Sequence, residues 1–133
     1  MRTIKFKGKS VDSSEWIEGY YYKECDNTYI IKDRQKDSML NRNEAVLVDP
    51  DTVCQFTGLT DENGKDIYEG DVLHVNSSLC LVVWDSGCFC LKNELSKIPG
   101  IRILEYVVRN YACTVEGSIH DPEWRKKLGI QED

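Results

Sequence analysis

Residues 3–7 alternate polar and apolar side chains, with Ile4 and Phe6 on one side and Thr3, Lys5 and Lys7 on the other. That two-residue period predicts a half-buried strand. The pattern recurs along the chain. Residues 15–23, carrying Trp16, Ile17, Tyr20, Tyr21 and Tyr22, read as a second strand in which Gly19 marks a bulge. Residues 28–32, 44–48 and 53–56 read as further strands, the middle one stopped by Asp49-Pro50-Asp51. Residues 33–43 are polar without a period and predict an exposed loop. After a strand at 72–75, two apolar runs flank Asp85-Ser86-Gly87. A Ser86-Gly87 turn places Trp84 opposite Phe89, Val83 opposite Cys90 and Val82 opposite Leu91. One face of this hairpin then holds Cys80, Val82, Trp84, Phe89 and Leu91, and the other Leu81, Val83, Cys88 and Cys90. Both are apolar, so cover on both sides is expected. Residues 101–109 and 111–117 read as closing strands. Asp121-Pro122-Glu123 then starts a helix, with a capping side chain, a proline at its first position and an acid at its positive end. It should run through Trp124 and Leu128 to Gly129.

The densest turn chemistry lies in residues 55–71, Gln-Phe-Thr-Gly-Leu-Thr-Asp-Glu-Asn-Gly-Lys-Asp-Ile-Tyr-Glu-Gly-Asp. Asp61-Glu62-Asn63-Gly64 suits a tight reversal, and Gly70 a second one, after which Asp71 can bond nearby amides and set the next strand. Gly58, Gly64 and Gly70 would set the reversals of a joint between two β regions. A calcium loop counted from Asp61 fails: Lys65 falls at its fifth position, Asp66 at its sixth and Val72 at its twelfth. Asp61, Asp66, Glu69 and Asp71 cluster along the sequence, and a metal-dependent hydrolase is the reaction they would suit. No nucleophile or oriented histidine accompanies them, so solvated turn residues and amide acceptors are the expectation, with Asp71 the one given a buried structural role.

Composition adds exclusions. Seventeen Lys and Arg against 23 Asp and Glu leave a net charge of −6, which works against broad phosphate-backbone binding. The first residues lack the apolar core of a signal peptide and no stretch is long enough to span a membrane. An intracellular, cytoplasmic protein with no membrane partner is the expectation, and its six cysteines should be free thiols. Cys80, Cys88, Cys90 and Cys113 with His74 and His120 invite zinc, but Cys88-x-Cys90 is not a zinc knuckle. Small buried hydrophobes are the simpler role for the thiols. Trp84, Phe89, Tyr106 and Tyr111 are the rings from which a stacking platform would be built, although the acidic balance favours packing on a sheet face. Arg125-Lys126-Lys127 suits a helix C-terminus. No catalytic, cofactor-binding or metal-ligating residue is assigned, and no cofactor is expected.

Several segments together carry a resemblance. They are Ile4-Lys5-Phe6-Lys7-Gly8-Lys9 followed by Glu15-Trp16-Ile17-Glu18-Gly19, the whole of residues 55–71, Val83-Trp84-Asp85, and Glu116-Gly117-Ser118-Ile119-His120-Asp121-Pro122-Glu123. In this order they resemble the YopX family of phage, prophage and bacterial proteins. The resemblance implies a mainly β fold whose C-terminal region is a small SH3-like barrel. It brings no established activity and no catalytic residues. The chain is accordingly expected to comprise an N-terminal β region at 1–52 and, at 53–133, the signature loop, SH3-like barrel and C-terminal helix. The functional expectation is a non-enzymatic accessory protein of a mobile element, working through an unknown protein partner or as a homo-oligomer. A nucleic-acid-binding barrel is the alternative.

Overall fold

A computed structural model describes residues 3–32, 44–76, 78–85, 87–92 and 101–127. The loop expected at 33–43, the turn residue Ser86, and the helix residues Leu128 and Gly129 lie outside the described residues. The fold is mainly β, and it divides into two compact units, Met1–Phe56 and Thr57–Asp133.

In the first unit, β1 (Phe6–Lys9), β2 (Trp16–Glu24), β3 (Asn27–Lys32) and β4 (Glu44–Leu47) form successive antiparallel pairs. β5 (Cys54–Thr60) flanks β1 through its first residues. The first strand is therefore displaced from residues 3–7. It begins at Phe6 and takes in Gly8, where a side chain would press on Val48 and Ile30. The core-facing positions of these strands converge on Ile17, Ile30 and Val48, with Phe6, Val46 and Val53 packed against them. Gly19 does not mark a bulge, because the β1–β2 register is unbroken from Phe6↔Gly19 to Lys9↔Trp16. Glycine is needed there for space: a Cβ would run into the carbonyl of Ile31.

The second unit carries a five-stranded antiparallel sheet. Its strands are β7 (Asp71–Val75), β8 (Ser78–Asp85), β9 (Cys88–Lys92), β10 (Ile101–Ile103) and β11 (Cys113–Ser118), in the order β10-β9-β8-β7-β11. The sheet is open, with β10 and β11 at its edges, and no closed barrel forms among the described residues. The later residues of β5 run beside β6 (Asp66–Tyr68). The β8–β9 hairpin has the register read from its turn: Trp84↔Phe89, Val83↔Cys90, Val82↔Leu91. Its two faces feed two cores. Val82 and Leu91 join Ile67, Leu73, Val75 and Cys113, while Leu81 joins Val72 and Trp124, with Leu79, Val83 and Ile119 against them. Each such apolar side chain contributes roughly 1.5–3 kcal/mol by leaving water.

The first of these faces is closed by a helix where the sequence reads as strand. Residues 104–110 form α1 (Leu104–Asn110), which buries Leu104 and Val107. The β-branched and aromatic content of this segment mimics a strand, but Leu104, Val107 and Val108 recur at three and four residues, the helical spacing. Arg109 Nε donates to Glu105 Oε1 at 3.0 Å across one turn. The second face is closed by α2 (Pro122–Lys127), whose Trp124 lies against Gly117 so closely that a Cβ there would overlap the indole. Glu116 is the extra residue of a bulge in β11, between Val115↔Leu73 and Gly117↔Val72.

Candidate functional site

Asp61 closes the turn between β5 and β6. Its amide donates to the Lys65 carbonyl at 2.8 Å, and Gly64, at φ +80°, donates back to the Asp61 carbonyl at 3.0 Å. The side chain is not solvated as a turn residue's would be; it is 7% exposed. Oδ1 accepts from the amides of Asn63 at 2.9 Å and Lys65 at 2.8 Å, and Oδ2 accepts from Val115 on β11 at 2.9 Å. Glu62 adds a backbone link, donating its amide to the Cys113 carbonyl at 3.1 Å. Burial opposes the Asp61 charge, but the three amides outweigh it and hold the carboxyl below its ordinary pKa. A carboxylate stabilised this way is a poor base and, ionised at neutral pH, has no proton to donate.

Asp71 has the buried structural position expected of it. It is 1% exposed, and Oδ2 accepts from the Tyr68 amide at 2.8 Å across the second reversal. Gly70, at φ +87°, makes that reversal. Its amide donates to Val82 and its carbonyl accepts from Ile119, both at 2.8 Å. Glu69 is half-buried, and burial raises its pKa. Asp61 and Asp71 are thus bound up in separate turns, and no three His, Cys, Asp or Glu side chains converge among the described residues. His74 is exposed and His120 half-buried.

Cys88 and Cys90 share one face of β9, their sulfurs 3.5 Å apart. Burial pushes the Cys90 thiol up to about 11, with Cys88 and Asp85 adding to the effect. Cys113 is raised by burial and then by the charges of Asp61 and Glu62. Such thiols are weak nucleophiles at neutral pH. Cys25 is exposed, whereas Cys54, Cys90 and Cys113 are buried. A brief pulse of iodoacetamide on the folded protein is expected to label Cys25 first and spare those three. Peptide mapping by mass spectrometry checks this, and early label on Cys90 would contradict the packing.

Of the four rings, Phe89 packs against the core as expected and the other three stay exposed. Trp84 is 55% exposed at the hairpin end, braced edge-on by Phe89 at 4.8 Å, and Tyr106 is 59% exposed on α1. Tyr111 and Ile103 are exposed as well. In the first unit a second aromatic surface emerges that sequence reasoning missed. Lys7 and Lys9 lie over the Trp16 ring at 4.4 and 5.3 Å, and Lys5 over Phe56 at 4.7 Å. Tyr20 and Tyr22 follow Trp16 on the same face of β2, and Tyr22 meets Tyr29 at 6.2 Å. Strand alternation was the available signal: residues 5, 7 and 9 are odd and residues 16, 20 and 22 even, and the Lys9↔Trp16 register puts both sets on one face. No helix among the described residues is long and apolar enough to cross a membrane.

Comparison with known proteins places this geometry in context. A family model described as YopX protein matches residues 2–123. A crystal structure of protein EF1440 from Enterococcus faecalis is similar in fold, with a TM-score of 0.54 at 20% identity, covering 98% of this chain and 100% of that one. Among curated proteins no match is found.

Proposed function

The chain belongs to the YopX family, and from that premise we propose that it is a non-enzymatic accessory protein of a mobile element, acting through protein contacts that include copies of itself. The observation that carries this reading is the apolar surface of the second unit. Trp84 and Ile103 on the sheet and Tyr106 on α1 are each more than half exposed. Aromatic side chains left in water are the kind that protein interfaces cover. The titratable groups point away from catalysis: the Asp61 carboxylate is occupied by three amides, and the Cys90 and Cys113 thiols are held protonated.

Size-exclusion chromatography with light scattering tests the self-association. The mass of the wild type is expected to rise with concentration, and that of a Trp84→Ser/Tyr106→Ser variant to stay at the monomer value. A wild type that remains monomeric throughout overturns this part of the reading. Both side chains are exposed, so their loss should leave the thermal midpoint nearly unchanged.

A further inference from the structure

We infer that the outer face of the first unit's sheet is a binding site for single-stranded nucleic acid. It does not depend on the self-association proposed for the second unit. Lys7 pairs with Glu18 and Lys9 with Trp16, so the odd residues of β1 and the even residues of β2 share a face. Lys5, Lys7 and Lys9 then stand in a row, with their ammonium groups against Phe56 and Trp16. Two residues of strand span about 6.8 Å, comparable with the step between phosphates in an extended single strand.

Beside this row, Tyr20 and Tyr22 are 50% and 43% exposed. They too are two residues apart on that face, with Tyr22 hydrogen-bonded to Glu24, and they stand where the bases of a strand laid along β2 would stack. Tyr29 backs Tyr22 from the neighbouring strand, its partner in the register. Cations that track a backbone beside rings that stack bases are the two parts of a sequence-tolerant single-strand site. Tyr21 points to the opposite face, where it meets Phe6 at 5.6 Å, and so takes no part.

Glu18 and Glu24 lie on the same face as the lysines. Three cations against two carboxylates is a small excess, yet its sign is opposite to the charge of the whole chain, −6. Electrostatics alone would therefore bind weakly, and the rings must supply most of the selectivity. That predicts a preference for single strands, whose bases are free to stack, over a duplex, whose bases are not. A protein ligand would not require the lysine row.

Fluorescence anisotropy of the full chain with a labelled oligothymidine, and with a duplex of equal length, decides between these. At low salt the single strand is expected to bind more tightly than the duplex, and its affinity to fall as salt rises. Tyr20→Ala and Tyr22→Ala are each expected to weaken binding about tenfold. The Tyr20→Phe/Tyr22→Phe variant, which keeps the rings, should bind as the wild type does. Absence of binding at low salt, a duplex preference, or affinity indifferent to the tyrosines overturns the inference. So does an outcome in which losing the tyrosines alters only the mass seen by light scattering, which would make this face a protein contact. Trp84→Ser/Tyr106→Ser should leave oligonucleotide binding intact, so the two surfaces fail or hold separately.

Discussion

Gly70→Val is expected to leave most of the protein unfolded at temperatures where the wild type is stable. Gly70 is buried at φ +87°, a backbone region that costs an ordinary L-residue roughly 1–2 kcal/mol and a β-branched one more. A valine side chain in a closed position adds about 1–3 kcal/mol of overpacking. The same residue donates to Val82 and accepts from Ile119, so a shift that relieved the strain would break contacts with β8 and with the segment after β11. The total, about 3–5 kcal/mol, is a large part of the roughly 5–15 kcal/mol that holds a domain together. Glu62→Ala is the control: its side chain is exposed, and the residue's link to Cys113 uses the backbone. Thermal unfolding followed by circular dichroism should show a fall of more than ~10 °C for the first variant and almost none for the second. Equal midpoints would contradict the role given to this reversal.

Asp61→Asn carries the second large effect. An asparagine can keep Oδ1 toward Asn63 and Lys65, but its amide nitrogen then meets the Val115 N–H, donor against donor. Losing a charge-assisted bond and stranding a buried donor costs about 2–3 kcal/mol. The pH dependence has a definite sign. The folded protein holds Asp61 below its ordinary pKa, so the unfolded chain binds the proton more readily. The stability Asp61 supplies is complete above the unfolded value, ~3.9, and is lost as pH falls through the lowered folded value. Urea unfolding should therefore show a wide gap between wild type and Asp61→Asn at neutral pH, narrowing as the pH drops below about 4. A gap that persists undiminished in strong acid would mean that the carboxylate charge is not what links the turn to β11.

What could be read from the sequence was what local chemistry determines. The β8–β9 register follows from a two-residue turn and a pleat of fixed period, and the Asp71 interaction lies within three residues of the chain. Asp61 shows the limit. Its turn was legible, but its buried bond to Val115 joins positions 54 residues apart, and no local pattern announces a partner at that range. α1 was missed for a different reason. Tyr106, Val107 and Val108 favour strands intrinsically, and the helix is decided by packing Leu104 and Val107 onto the sheet, a tertiary effect that overrides propensity. The row of Lys5, Lys7 and Lys9 was hidden by the acidic total, because net charge says nothing about which side chains a register gathers on one face.

The placement of β11 also has a meaning for synthesis. β7 lies between β8 and β11, yet β8 follows it directly, whereas β11 and Trp124 come much later in the chain. At ~5–20 residues per second on the ribosome, β7 waits several seconds for its second neighbour. Through that interval one row of its amides and carbonyls is bare and the Val72–Leu81 side of the sheet lacks its tryptophan. The first unit ends at Phe56, is synthesised before β7 and can form while this happens. The nascent chain is therefore half folded and half exposed for a period set by translation speed, and the exposed half is where a chaperone would have reason to hold it.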